Sequence, residues 1–78
     1  MRIVHDYGLV RVVSLGDPFS KTHDIVVEFR HSEDQDWQFY TGYNSLSNDY
    51  AYTSARESAG QCIAGLARLK AAELPNVA

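Results

Sequence analysis

Cysteine is almost missing from this 78-residue chain. Cys62 stands alone, so no intrachain disulfide can staple the fold. No GxGxxG loop, GxSxG elbow, HExxH or CxxC occurs, and Gly8, Gly16, Gly42, Gly60 and Gly65 are scattered. The sequence marks of nucleotide cradles, hydrolase nucleophiles and zinc ligation are therefore lacking. No stretch approaches the roughly 18 apolar residues that a membrane helix needs. The opening Met-Arg-Ile-Val-His-Asp has no long apolar run, so neither leader nor anchor is expected, and the lone thiol fits a reducing, cytoplasmic setting. Bases are also few, with seven against ten acids and a net charge of −3. A duplex-binding domain presents a basic face. None is visible along this chain, so nucleic acid is disfavoured and a partner with a basic surface suits the sign better. Repeats and low-complexity segments are absent.

The length makes one domain over residues 1–78. Only about 60–65% of the unfolded surface can be buried at this size, so the core is small and a second chain is a reasonable expectation.

What the chain does have is concentrated in residues 31–54. Six of its rings lie there: Trp37, Phe39, Tyr40, Tyr43, Tyr50 and Tyr52. Glu33, Asp34, Asp36 and Asp49 accompany them, with no lysine or arginine. Tyrosine with a wet hydroxyl beside carboxylates is a good contact residue.

Hydrophobic period places the elements. Tyr7 to Leu15 reads as an extended, largely apolar stretch broken at Gly16-Asp17-Pro18, with Arg2 to His5 either its extension or a short strand of its own. Asp24 to His31 alternates, with Ile25, Val27 and Phe29 on one face. Asp36 to Tyr43 follows the same rule, which predicts Trp37 and Phe39 as core and sends Gln38 and Tyr40 to the other side. Gly42 marks a bulge or the strand end. The polar link Ser32 to Gln35 predicts a hairpin between these two strands.

Ser54 followed by Glu57 reads as a capping box, with Thr53 a rival cap. Ala55, Ala59, Cys62, Ile63, Leu66 and Leu69 then form an apolar stripe, which Leu74 would close and Pro75 would end. Strands followed by one helix predict an α+β fold: a three- or four-stranded antiparallel sheet with one C-terminal helix packed on one face. The uncovered face would carry Val26, Glu28, Arg30, Gln38 and Tyr40, either wet or covered by a partner.

Candidate chemistry is thin. Cys62 lies on the apolar stripe and reads as a small core hydrophobe. His5-Asp6 and His23-Asp24 are neighbours in an extended chain, where adjacent side chains diverge. His5, His23, His31 and Asp24 lack zinc spacing, and residues 33–44 lack the alternating oxygens, central glycine and closing glutamate of a calcium loop. No catalytic residue, metal or cofactor is expected.

Two family resemblances accompany this reading. With Trp37, Gly42 and Tyr43 followed by Ala51 and Ala55 entering the helix, the chain resembles the plant-type AP2 DNA-binding domain in strand–strand–strand–helix order. That resemblance implies groove reading from the sheet. Here, however, Arg11 and Arg30 are offset by Asp24, Glu28 and Asp36, which removes the charge that neutralises phosphates. In being tiny, acidic, cysteine-poor and free of motifs, the chain also resembles small phage-encoded inhibitors of host defence such as anti-CRISPR proteins. That resemblance implies occlusion of a basic, nucleic-acid-binding surface on a larger bacterial complex. The expectation is a non-enzymatic protein-binding module. Asp36, Tyr40, Tyr43, Asp49, Tyr50 and Tyr52 would make the contacts, and Glu33 and Asp34 would steer the encounter. Two alternatives stand beside it. One is a nucleic-acid-binding domain using Arg2, Arg11, Lys21 and Arg30; the other is an assembly subunit dimerising through the open sheet face or the Gly60–Ala64 helix surface.

Overall fold

In the computed structural model, which describes residues 1–17 and 23–73, four strands precede one helix: β1 (Arg2–Asp6), β2 (Val10–Ser14), β3 (Ile25–Phe29), β4 (Gln38–Tyr43) and α1 (Ala51–Glu73). The strands pair in sequence order, all antiparallel, and α1 packs chiefly across β2, β3 and β4. The α+β arrangement read from the sequence is the one observed. Leu74, Pro75, Pro18 and Lys21, each given a part in that reading, lie outside the described residues.

Residues 2–6 are a strand of their own. The stretch from Tyr7 to Leu15 is interrupted by a tight hairpin, where Tyr7 N–H donates to Val10 O at 2.9 Å and Gly8 takes φ 88°. A Cβ-bearing residue adopts that conformation only under strain. The Asp6 carboxylate accepts the Gly8 N–H at 2.9 Å and fixes the turn.

The apolar side of β2 and β3 meets the helix. Val10, Val12, Ile25 and Val27 pack with Ala51, Ala55, Ala59 and Cys62, flanked by Val4, Phe29, Tyr43 and Leu66. The largest fully buried side chains are one isoleucine and four valines, so the core is thin. Three alanines under the sheet let the helix come close.

β4 departs from simple alternation. Thr41 lies opposite Val27, yet Phe39 lies opposite Glu28, so Tyr40 is an extra residue in a β-bulge. One added residue reverses the facing of everything before it. Tyr43 and Thr41, opposite Ile25 and Val27, face the helix, whereas Phe39 and Trp37 turn to the side away from it. The expectation that Trp37 and Phe39 are core is thereby corrected: Phe39 is 58% exposed and Trp37 half-buried. Tyr40 moves to the helix side, where its ring meets the edge of Phe29 at 6.2 Å.

The face away from the helix is partly closed by the chain itself. Val13 is fully buried there and Val26 nearly so. The His23 side chain crosses Gly42, so close that a Cβ on Gly42 would sit 2.6 Å from His23 Cγ. The ring of Phe39 adjoins His23 at 5.8 Å.

The helix begins one turn earlier than the capping box indicates. Ser54 N–H already donates to Tyr50 O at 2.7 Å, in the i to i−4 pattern of a helix. Ser54 and Glu57 are interior positions, and Ala51 opens the buried stripe. At 23 residues α1 is about 34 Å long, against about 17–20 Å for strands of five or six residues. Its later turns therefore outrun the sheet. Ile63 and Leu69, read as stripe residues, are exposed, as are Gly60 and Ala64.

Candidate functional site

The connection from β4 to α1, residues 44–50, is built around side chains that imitate backbone turns. Asn44 Oδ1 accepts the N–H groups of Leu46 at 2.9 Å and Ser47 at 3.1 Å, and Asn48 Oδ1 accepts that of Tyr50 at 2.9 Å. Asn48 N–H donates to Asn44 O and Ala51 N–H to Asn48 O. Short amide side chains supply this geometry readily.

A buried acid bolts the loop to the sheet. Asp24, 3% exposed just before β3, accepts the Ser45 N–H at 2.7 Å and the Ser45 hydroxyl at 2.5 Å. Burial pushes its carboxyl pKa up, but the bonds from Ser45 and from the N–H groups of Asp24 and Ile25 outweigh that and hold it below the ordinary value. Asp24 N–H also donates to Tyr43 O at 3.1 Å.

On this fastened backbone the large side chains point outward. Tyr50 is 72% exposed, Leu46 58% and Tyr52 44%, and Asp49 is exposed between them. Natural surfaces carry single exposed apolar residues without consequence. Leu46 and Tyr50 on a loop with its own hydrogen-bond frame, with Tyr52 in the first turn of α1 beside them, form a concentrated contact patch.

The other residues singled out from the sequence lie elsewhere. Tyr43 turns inward, packs on the core and shares a hydrogen bond of 2.5 Å with Ser58 Oγ. Tyr40 is 41% exposed beside Cys62, Leu66 and Leu69 of the helix. Glu33, Asp34 and Asp36 are exposed at the β3–β4 hairpin, the end of the sheet opposite to Tyr43 and the 44–50 loop. The acid–tyrosine segment is thus divided between two ends of the molecule. The hairpin is itself ordered. Ser32 Oγ donates to Asp34 Oδ1 at 2.5 Å, which lowers the Asp34 pKa, and Gln35 N–H donates to Ser32 O at 3.1 Å.

The two sheet arginines are engaged within the chain. Arg11 and Arg30 each bring their guanidinium carbon to 4.2 Å from the centre of the Trp37 ring. Arg11 Nε also pairs with Glu28 Oε1 at 2.9 Å, and Arg30 donates to the carbonyls of Glu33 and Gly8. Such stacking holds guanidinium planes against a ring. The arrangement closes the sheet face and leaves little of either cation to meet phosphates.

Cys62 is 4% exposed, and burial pushes its thiol pKa up. Among the described residues no group of three or more His, Cys, Asp or Glu side chains is placed to hold a metal ion. No helix of the described residues is long and apolar enough to cross a membrane. Comparison with protein-family models, curated proteins and solved structures finds no match for this chain.

Leu46 and the Asp24–Ser45 anchor are the parts of this site that the sequence did not single out. The signal for an ordered loop was Asn44 and Asn48, which accept N–H groups two or three residues on and two residues on respectively; the Asp24–Ser45 contact, 21 residues apart in sequence, had no local signal.

Proposed function

We propose that this chain is a non-enzymatic protein-binding module whose contact surface is the 46–52 segment, with Leu46 and Tyr50 as anchors and Asp49 and Tyr52 at their margin. The single observation that carries this reading is the pairing of outward Tyr50 and Leu46 with a backbone already held in place. A fastened loop loses little conformational freedom on binding, so its apolar contacts convert more fully into affinity. The partner presents a basic surface. The net charge of −3, and the absence of any base across residues 31–54, favour such an encounter. Glu33, Asp34 and Asp36, away from the loop, act at long range as steering charges.

In its finer form the proposal is that the module occludes the nucleic-acid-binding surface of a larger bacterial complex of the CRISPR type, as an inhibitor encoded by a phage. The acidic balance supports this, as does the engagement of Arg11 and Arg30 by Trp37, which leaves little of these two cations to bind DNA directly.

The test is a gel shift in which purified RNA-guided complexes bind target DNA with and without the chain. Wild type should reduce bound DNA with at least one such complex, and Leu46→Ala/Tyr50→Ala should need a concentration roughly 30-fold or more higher, as anchor truncations do. Inhibition by the double variant equal to that of wild type would remove the loop from the contact. No effect on any complex would leave the coarser reading without the inhibitor role.

A further inference from the structure

We propose that the outer half of α1, together with the β3–β4 hairpin, is a self-association surface on which a second copy of this chain docks about a two-fold axis. Beyond Cys62 only Leu66 still packs against the core, and Ile63 and Leu69 stand 39% and 53% exposed on the helix. An open groove of about 440 Å³ runs between Tyr40 and Leu66, Arg68 and Leu69. Another, of about 390 Å³, is lined by Leu9, His31, Leu66, Leu69 and Lys70. Leu69 is therefore an apolar ridge between two hollows, a shape that fits a copy of itself.

Charge selects the occupant. Arg68 and Lys70 flank the ridge, and Glu33, Asp34 and Asp36 stand on the hairpin that begins at His31, which lines the second groove. Within one copy, no ion pair joins these two groups among the described residues. A two-fold axis through the Leu66–Leu69 surface lays each copy's basic helix end along the other's acidic hairpin. Every such pairing then occurs twice, as an isologous contact requires. A thin core adds a reason: the largest fully buried side chains are isoleucine and valine, and domains this small commonly draw stability from a second chain. The surface lies at the opposite end of the molecule from the 44–50 loop, so it does not rest on the loop contacts proposed above; in the dimer Glu33, Asp34 and Asp36 face the second copy, and their steering role belongs to the monomer.

The test is sedimentation equilibrium of the full chain from about 1 μM to about 1 mM, the range over which weak dimers form. A species of twice 8.8 kDa is expected, with Leu69→Glu monomeric over the same range and unchanged in far-ultraviolet circular dichroism. Glu33→Lys/Asp36→Lys, or Arg68→Glu/Lys70→Glu, should each raise the dissociation constant at least tenfold. Combining all four changes in one chain exchanges the signs and should restore the dimer. A monomer throughout for wild type, a dimer untouched by Leu69→Glu, or a four-fold variant no better than its halves would overturn the proposal.

Discussion

Replacing Asp24 by alanine removes the acceptor for both the Ser45 N–H and the Ser45 hydroxyl, at 2.7 and 2.5 Å, from a site only 3% exposed. Hydrogen bonds to an ionised group contribute about 1.5–3 kcal/mol each, and a buried donor left without a partner adds its own penalty. Ser45 is half-buried, so water recovers part of the loss. A net cost of about 2–4 kcal/mol follows, or a fall in Tm of roughly 10–25 °C for a domain of this size. The pH dependence carries the finer test. The folded-state pKa of Asp24 lies below its ordinary value, so its contribution is fully present above the unfolded value and is lost as pH falls through the folded one. Thermal melts followed by circular dichroism, from about pH 7 down to about pH 2, should show the gap between wild type and Asp24→Ala narrowing toward the acid end. A gap that stays constant with pH, or no gap at neutral pH, would refute the argument that a charged Asp24 bolts the loop.

Other positions give sharp expectations. Gly42→Ala forces a Cβ to 2.6 Å from His23 Cγ and should cost about 1–3 kcal/mol in chemical denaturation, an effect that His23→Gly in the same chain should relieve. Tyr43→Phe loses the bond to Ser58 and should lower stability by about 1 kcal/mol in the same measurement while leaving the loop contacts intact. The Cys62 thiol should react with iodoacetamide far more slowly in the native protein than in denaturant. Because burial raises its pKa, the stability it contributes is complete below the unfolded value and declines as alkaline pH passes the folded one, which melts at high pH on Cys62→Ala and wild type would reveal.

Much of the architecture could be read from the chain. The alternation of Ile25, Val27 and Phe29 identified β3 and its buried face, and the recurrence of Ala55, Ala59 and Cys62 identified the helix and its seam. What alternation cannot show is an inserted residue. Tyr40 is the bulge, and it reversed the facing of Trp37 and Phe39 while Tyr43 stayed in phase. Only register with β3 reveals such a shift. The helix start was misplaced for a related reason. Ser54 and Glu57 fit a capping box locally, but Asn44 and Asn48 had already turned the chain, and Ala51 gave too weak an apolar signal to extend the stripe by one turn. The candidate site was legible as a composition and illegible as a shape. Residues 31–54 are contiguous in sequence, yet a hairpin places Glu33, Asp34 and Asp36 at one end of the sheet and Asp49, Tyr50 and Tyr52 at the other. The sequence set Arg11 and Arg30 against Asp24, Glu28 and Asp36, but it could not show that Trp37 engages both guanidinium groups.

The claim that joins these observations is that the 44–50 loop is fastened for presentation and that its outward side chains grip a protein. Its most direct check is Tyr50→Ala in the DNA gel shift with a complex the wild-type chain inhibits, set beside the variant's thermal melt. The account predicts a large loss of inhibition with Tm within about 2 °C of wild type, since a ring 72% exposed contributes little to the fold. Undiminished inhibition, or a loss matched by a collapse of Tm, would contradict it.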